Sequence, residues 1–360
     1  MSVSLSLGQA ETFAASLLQA MKVPPAIAHD VAEHLVSSDR CGYASHGVSI
    51  LPGYCRAIAD GVLDGTADGQ LLVDTGIFQA WDGQHGFGQH IGKRMLLSAF
   101  EGARRHGQCV LTLRGCHHLG RMGFYAEMAA REGLVLLAFT NIINREPLVA
   151  PFGGAEGRLT TNPLCFGIPL PDGRPPLVVD MATSAVALNK VRVYAENGQP
   201  APAGSLIDAQ GNPTTDPGVM FANPHGSMLP FGGHKGYALG VLTELLAGVY
   251  SGGGTVQPEH PRNGKLATNN LFALVFDPAH PSHGADPAWQ RHETGAFIDY
   301  LLACPPQPGG SGVQYPGQYE AANQARHADH IELGQGSWDS LAELADKLGV
   351  ALPEGTAAAA

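Results

Sequence analysis

The run from Gly115 to Lys190 constrains this chain most. It opens with GCHHLGRMGFYAEMAAREG and passes through LVLLAFTN, VAPFGG and TTNPLCFGIP. It closes in LVVDMATSAVALNK. LVLLAFTN (134–141), bounded by a glycine, reads as a buried strand. PLVVDMAT reads as a second strand that delivers Asp180 to its end. A histidine pair, glycine turns and an acid at a strand end are parts from which a nucleotide-binding catalytic cleft can be built. With 47 glycines and 26 prolines in 360 residues, the chain needs many turns, which argues against a helical bundle.

Apolar residues make up 44% and charged residues 15%, enough for a sizeable core and far from the disordered regime. The net charge of −11 offers no general surface for a phosphate backbone, so nucleic acid is not an expected partner. No apolar run approaches the roughly 18 residues of a membrane helix, and no signal peptide is visible. The six cysteines are scattered without a CxxC pair. They read as reduced thiols of a cytoplasmic protein, with Cys116 as a pocket wall.

Helical spacing marks 8–22, 25–40, 53–60, 86–107, 118–133, 184–196, 235–250, 287–303 and 338–350. Pro25 suits the first turn of the second helix, and Gly133 the end of the helix before it. LLVDTG and FQAWDG read as a hairpin, with further strands at 108–114 and 271–276. GQPAPAGSLIDAQGNPTTDP reads as an irregular loop. Helices at the ends and strands in the middle favour an α+β class.

Four groups carry chemistry. His46, beside Ser45, titrates near neutral pH and can pass a proton to a developing alkoxide. His117-His118 is a second candidate, and its alternative is one packing and one helix-capping histidine. No metal-ligand spacing is present, so no metal is expected. Asp180 would orient a catalytic histidine or cap the helix near Ser184, which Thr183 could also do. GGHKGY (232–237) opens a helix and offers an anion site. GFGQHIG (86–92) is GxGxxxG rather than GxGxxG and reads as a tight turn before a helix.

In this order, SHGVSILPGY, GFGQHIGKRM, HHLGRMGFYAEMAAREG, VAPFGG, TNPLCFGIP, VVDMATSAVALNK, PAGSLIDAQGNPTTDP, GGHKGYALGVLTELLAGVYSGG and YPGQYE resemble the type-2 malate/L-lactate dehydrogenase family, over roughly residues 10–350. HHLGRMGFYAEMAA and VALNKVRVY are most similar to its hydroxycarboxylate dehydrogenase B branch. The resemblance implies NAD- or NADP-dependent interconversion of 2-oxo and 2-hydroxy acids. Its alternatives are a piperideine-2-carboxylate-type imino acid reductase and a ureidoglycolate-type dehydrogenase. It implies an α+β, non-Rossmann fold: a mostly antiparallel seven-stranded sheet flanked by helices, plus a helical domain from both chain ends. The corresponding division is 1–107 with 287–350 as the helical domain, 108–286 as the cofactor-binding domain and 351–360 as a flexible tail. A homodimer is expected.

By the same resemblance, His46 with Ser45, or His118, transfers the proton, and His46 is preferred. Gly120, Arg121, Met122, Val179, Asp180, Met181, Ala182, Thr183, His234, Lys235, Asn270, Gly317, Gln318, Tyr319 and Glu320 are expected at the cofactor. Tyr54 and Arg121 are expected at the substrate. Three positions depart from the family pattern. Ile50 stands where many members carry a carboxylate-binding arginine, which favours a more apolar 2-oxo acid over a dicarboxylate. Gln318 stands in place of an acid, and Asn189 in place of a glycine.

Overall fold

The computed structural model describes residues 2–260, 262 and 268–354. The chain begins with strand β1 (Ser2–Ser6), helix α1 (Leu7–Ala20), α2 (Pro25–Arg40) and α3 (Leu51–Ala59). Ser6 starts α1 with a reciprocal cap: its hydroxyl accepts from Gln9 N–H while the Gln9 side chain accepts from Ser6 N–H. Strands β2 (Gln70–Asp74) and β3 (Phe78–Asp82) form the expected hairpin. Helix α4 (Gly88–His106), strand β4 (Gln108–Cys116), helix α5 (Gly123–Arg131) and strand β5 (Val135–Ile143) follow.

Next come β6 (Leu164–Ile168), β7 (Leu177–Met181), α6 (Leu188–Glu196), β8 (Leu206–Ile207), β9 (Pro213–Thr214) and β10 (Ser227–Met228). The last three form a small sheet; β8 and β9 lie inside the segment expected to be irregular, and β10 lies beyond it. Helix α7 (His234–Thr243) continues as one π-helical stretch, Glu244–Val249, and strand β11 (Thr268–Phe276) follows. The chain ends with α8 (Pro287–Leu302), α9 (Gln318–Arg326), β12 (His330–Gly334) and α10 (Gln335–Leu348). Of the expected tail, residues 355–360 lie outside the described residues.

The main sheet has the order β2-β3-β4-β11-β5-β6-β7. It is mixed, which corrects the mostly antiparallel expectation: β3 and β4 run parallel. The reason is the connection. A hairpin joins antiparallel neighbours, but the chain leaves β3 through the 19-residue α4 and re-enters β4 from the same end. The sheet also takes in residues 70–82, upstream of Gln108. Its core gathers Ile91, Met95 and Phe100 of α4 with Leu111, Leu113, Tyr125 and Ala273.

A second core forms where the chain ends meet. β1 pairs with β12, Ser2 opposite Gly334, and brings Leu5, Phe13, Leu35, Leu333 and Trp338 together. Between the two cores, α4 packs against α2 through a charged cluster. His90 lies between Asp30 (2.6 Å) and Asp68 (2.7 Å), and Lys93 pairs with Asp30 and Glu33. Burial works against charging His90, but the two carboxylates outweigh it and raise its pKa above 6.5.

That raised value fixes a sign. The stabilisation from His90 is fully present below its unfolded pKa of about 6.5 and is lost as pH rises through the higher folded value. His90→Ala, which leaves Asp30 short of a partner, should cost roughly 3 kcal/mol at pH 6. The gap to wild type in urea unfolding should narrow toward pH 9; a gap that widened with pH would contradict the assigned charge.

Candidate active site

Strand ends, one turn and helix α6 converge on a long cleft. Ala44–His46 is a single 3-10 turn after α2 and contributes Ser45 and His46. The segment between β4 and α5 contributes His118, Leu119, Gly120, Arg121 and Met122. The end of β7 contributes Asp180, Met181 and Ala182, and Asn189, Lys190 and Val193 of α6 close the far side. The cleft volume is about 610 Å³, open to solvent and within the roughly 300–1,000 Å³ of a small-molecule site.

The helix expected over 118–133 begins only at Gly123, because residues 118–122 form the cleft wall instead. Gly88 makes this possible. A β-carbon there would stand 2.6 Å from the carbonyl oxygens of both His117 and His118, so only glycine lets α4 approach the pair. The two histidines then diverge. His117 is buried without a hydrogen-bond partner, edge-on to Tyr54 at 5.1 Å. His118 faces the cleft, and its ring centre is 5.5 Å from that of His46. Neither caps a helix.

Both facing rings are held at Nδ1. Ser45 Oγ lies 3.0 Å from Nδ1 of His46. Tyr54 Oη lies 2.7 Å from Nδ1 of His118 and accepts a hydrogen bond from Gln89 Nε2 at 2.6 Å. With Gln89 donating, the Tyr54 proton points at Nδ1, so neutral His118 carries its proton on Nε2. Burial, then the charge of Arg121, lowers His46 to about 4. Burial holds His118 well below its usual value, reinforced by His46, His117 and Arg145. His34 lies under Gly120, stacked on Phe124 at 4.3 Å, and burial likewise holds it well below the usual range.

Arg121 is 3% exposed. Its Nη2 donates to both oxygens of Glu127, at 2.9 and 3.0 Å, while Nε and Nη1 have no partner. Asp180 accepts from Gly123 N–H at 2.7 Å, at the first turn of α5 rather than of α6. Burial raises its carboxyl to about 6, against the pull of that N–H and of Arg121. Helix α6 begins at Leu188 with no side-chain cap, so neither Asp180 nor Thr183 caps it. Thr183 instead ties Thr161 O to the Phe231 N–H.

Several expected residues lie elsewhere. Asn270 is fully buried, bonded to Gly115 N–H and Asn141, and it is Asn269 that lines the cleft. Val179 is paired with Phe166 inside the sheet. His234 and Lys235 are exposed at the start of α7 and do not line the cleft. Of Gly317, Gln318, Tyr319 and Glu320, Glu320 reaches the cleft wall indirectly, accepting from Tyr43 Oη at 2.6 Å. Tyr319 stands edge-on to Tyr43, and Gln318 accepts from Tyr315 N–H. Ile50 packs on the helical core and does not line the cleft. Sequence reasoning missed Tyr43, Thr140, Thr161 and Asn269 as lining residues. Tyr43, two residues before Ser45, was the one with a visible signal. Among the described residues no three His, Cys, Asp or Glu side chains cluster to hold a metal, and no helix is long and apolar enough to cross a membrane.

A family model described as malate/L-lactate dehydrogenase matches residues 5–342. The chain is 57% identical to an L-lactate dehydrogenase of Cupriavidus necator, covering 98% of this chain and 99% of that protein. It is 35% identical to hydroxycarboxylate dehydrogenase B of Escherichia coli K12, covering 91% and 88%. The solved structure of delta1-piperideine-2-carboxylate reductase from Pseudomonas syringae superposes with a TM-score of 0.84 at 30% identity, covering 95% and 99%.

The depressed histidines predict acid lability. A histidine whose folded pKa lies below 6.5 contributes stability that is present above the unfolded value and is lost as pH falls toward the folded one. For His46 and His117 that window runs from about 6.5 down to about 4. Each can cost up to about 1.4 kcal/mol per pH unit. Unfolding free energy should therefore drop steeply from pH 6.5 to 5. His117→Phe, which removes one such group, should flatten the slope in urea titrations; an unchanged slope would contradict the neutral buried ring.

Proposed function

The chain belongs to the malate/L-lactate dehydrogenase family and is an oxidoreductase of 2-hydroxy and 2-oxo acids; we propose that His46 transfers the proton in this reaction. The observation that carries the proposal is the pair of cleft histidines, 5.5 Å apart, each held at Nδ1. With its Nδ1–H donated to Ser45, neutral His46 presents a free Nε2 lone pair and acts as base toward the hydroxyl of a 2-hydroxy acid. His118 presents Nε2–H and holds the same oxygen as it gains negative charge. In the reverse direction the protonated His46 returns the proton. A depressed pKa leaves His46 a ready base at neutral pH, and an anionic substrate beside it favours protonation.

The reaction takes a nicotinamide cofactor, NAD or NADP, which supplies or accepts the hydride when bound. The residues present fit such a group. Asn269 Nδ2 and Arg121 Nη1 are buried donors without acceptors on residues that line the cleft, and Lys190 lines its far side. Gly120, Ala182 and Ala187 keep the walls low. We assign this stretch to the cofactor and the His46–His118 end to the acid. A homodimer fits the exposed stripe Leu242, Leu245, Val249 and Tyr250 along α7 and its π-helical continuation. Five buried free thiols fit a reducing, cytoplasmic compartment.

His46→Ala should lower kcat about 10²–10⁴-fold while cofactor affinity, followed by nicotinamide fluorescence, stays within about twofold. Retained turnover would remove His46 from the reaction. Among pyruvate, phenylpyruvate, oxaloacetate and a cyclic imino acid, the monocarboxylic 2-oxo acids should be reduced fastest. Turnover of the imino acid alone would favour the second reading, a C=N reductase like the Pseudomonas relative.

A further inference from the structure

A 2-oxo acid needs a cation for its carboxylate, and the sequence offers no arginine at position 50. Arg121 is poorly suited. It is fastened to both oxygens of Glu127, and Asp180 adds a second acid to its surroundings. Another arginine is not so committed. Strands β4, β11 and β5 end at one edge of the sheet: Cys116 stands opposite Asn269, and Asn269 opposite Ile142. Asn269 Oδ1 also holds the Leu119 N–H, next to His118. The segment leaving β4 with His118 and the segment leaving β5 with Arg145 therefore start side by side.

Ile142 lines the cleft, and Asn144, at a φ of 64°, turns the chain just before Arg145. Arg145 is partly withdrawn from water and its charge is felt at His118. It has no ion-pair or hydrogen-bond partner among the described residues, and its neighbour Glu146 is taken by Arg262 at 3.1 Å. A partly desolvated cation without an anion is unfavourable unless a ligand supplies one.

We propose that Arg145 holds the carboxylate of the 2-oxo or 2-hydroxy acid at the His118 end of the cleft, leaving Arg121 to the cleft wall. This rests on the functional reading above. One arginine aligned with one histidine pair suits a small monocarboxylic acid: the carboxylate pairs with the guanidinium in two parallel hydrogen bonds, and the adjacent oxygen faces His46 and His118.

The test compares wild type with Arg145→Met and Arg145→Lys. Two readouts apply: steady-state kinetics with pyruvate, and calorimetric binding of oxamate, an unreactive 2-oxo acid analogue, to enzyme loaded with NADH or NADPH. Arg145→Met should raise the pyruvate KM 10- to 100-fold, abolish oxamate binding and leave cofactor affinity unchanged. Arg145→Lys should fall between, because it keeps the charge but not the planar fork. It also serves if the methionine variant fails to fold by circular dichroism. Wild-type KM and oxamate affinity in folded variants would overturn the proposal and leave the dehydrogenase reading intact. Oxamate binding that depends on Arg145 in an enzyme inert toward all 2-oxo acids would do the reverse.

Discussion

The pairing of β11 with both β4 and β5 is the constraint on which the site depends. β11 lies between them, and its Asn269 touches both sides of the cleft edge: it stands opposite Cys116 and Ile142 and binds Leu119 N–H. A register slip of one residue would turn Asn269 away from Leu119 and exchange the faces of both neighbours. His118, Arg121 and Met122 would then lose the fixed edge from which they reach into the cleft. The chemistry hangs on sheet register more than on any single catalytic contact.

Behind that edge the molecule keeps its histidines neutral and its arginine paired. His34, His117 and His118 sit where burial opposes charge, and Arg121 is balanced by Glu127. The result is a cleft whose proposed proton-transfer group, His46, is a base at rest, beside His118, held at Nδ1 by Tyr54, which in turn accepts from Gln89. The cost of these buried polar groups is carried by two cores, one of sheet and α4, one where the chain ends meet through β1 and β12. His90, held between Asp30 and Asp68, ties α4 to α2.

Much of this was legible. The strand runs at 108–114, 134–141 and 271–276, the glycine-closed helices and the cleft-facing segments around His46, His118 and Asp180 follow from periodicity and turn chemistry, with the family resemblance joining them. The rest was hidden for physical reasons. The two-residue strands are too short to carry a pattern, and β1 and β12 lie at opposite ends of the chain, each a strand only because the other meets it. In TNN, alternation says that Asn269 and Asn270 face opposite ways but not which faces the cleft, and a register shift after Asn269 upsets the count. His234, Lys235 and the run from Gly317 carried strong motifs, yet they stand outside the cleft wall.

The sequence by itself determined the chemical inventory: apolar strands, glycine turns, two candidate histidines, an acid at a strand end and an ordered set of family motifs. Those are local properties, written in neighbouring residues. Tertiary structure decided which histidine of the pair faces the cleft, that Asp180 serves α5 rather than α6, that Arg121 is paired with Glu127, and that Arg145 has no partner among the described residues. Each of those outcomes depends on a partner far away in the chain, and only folding brings such partners within hydrogen-bond reach.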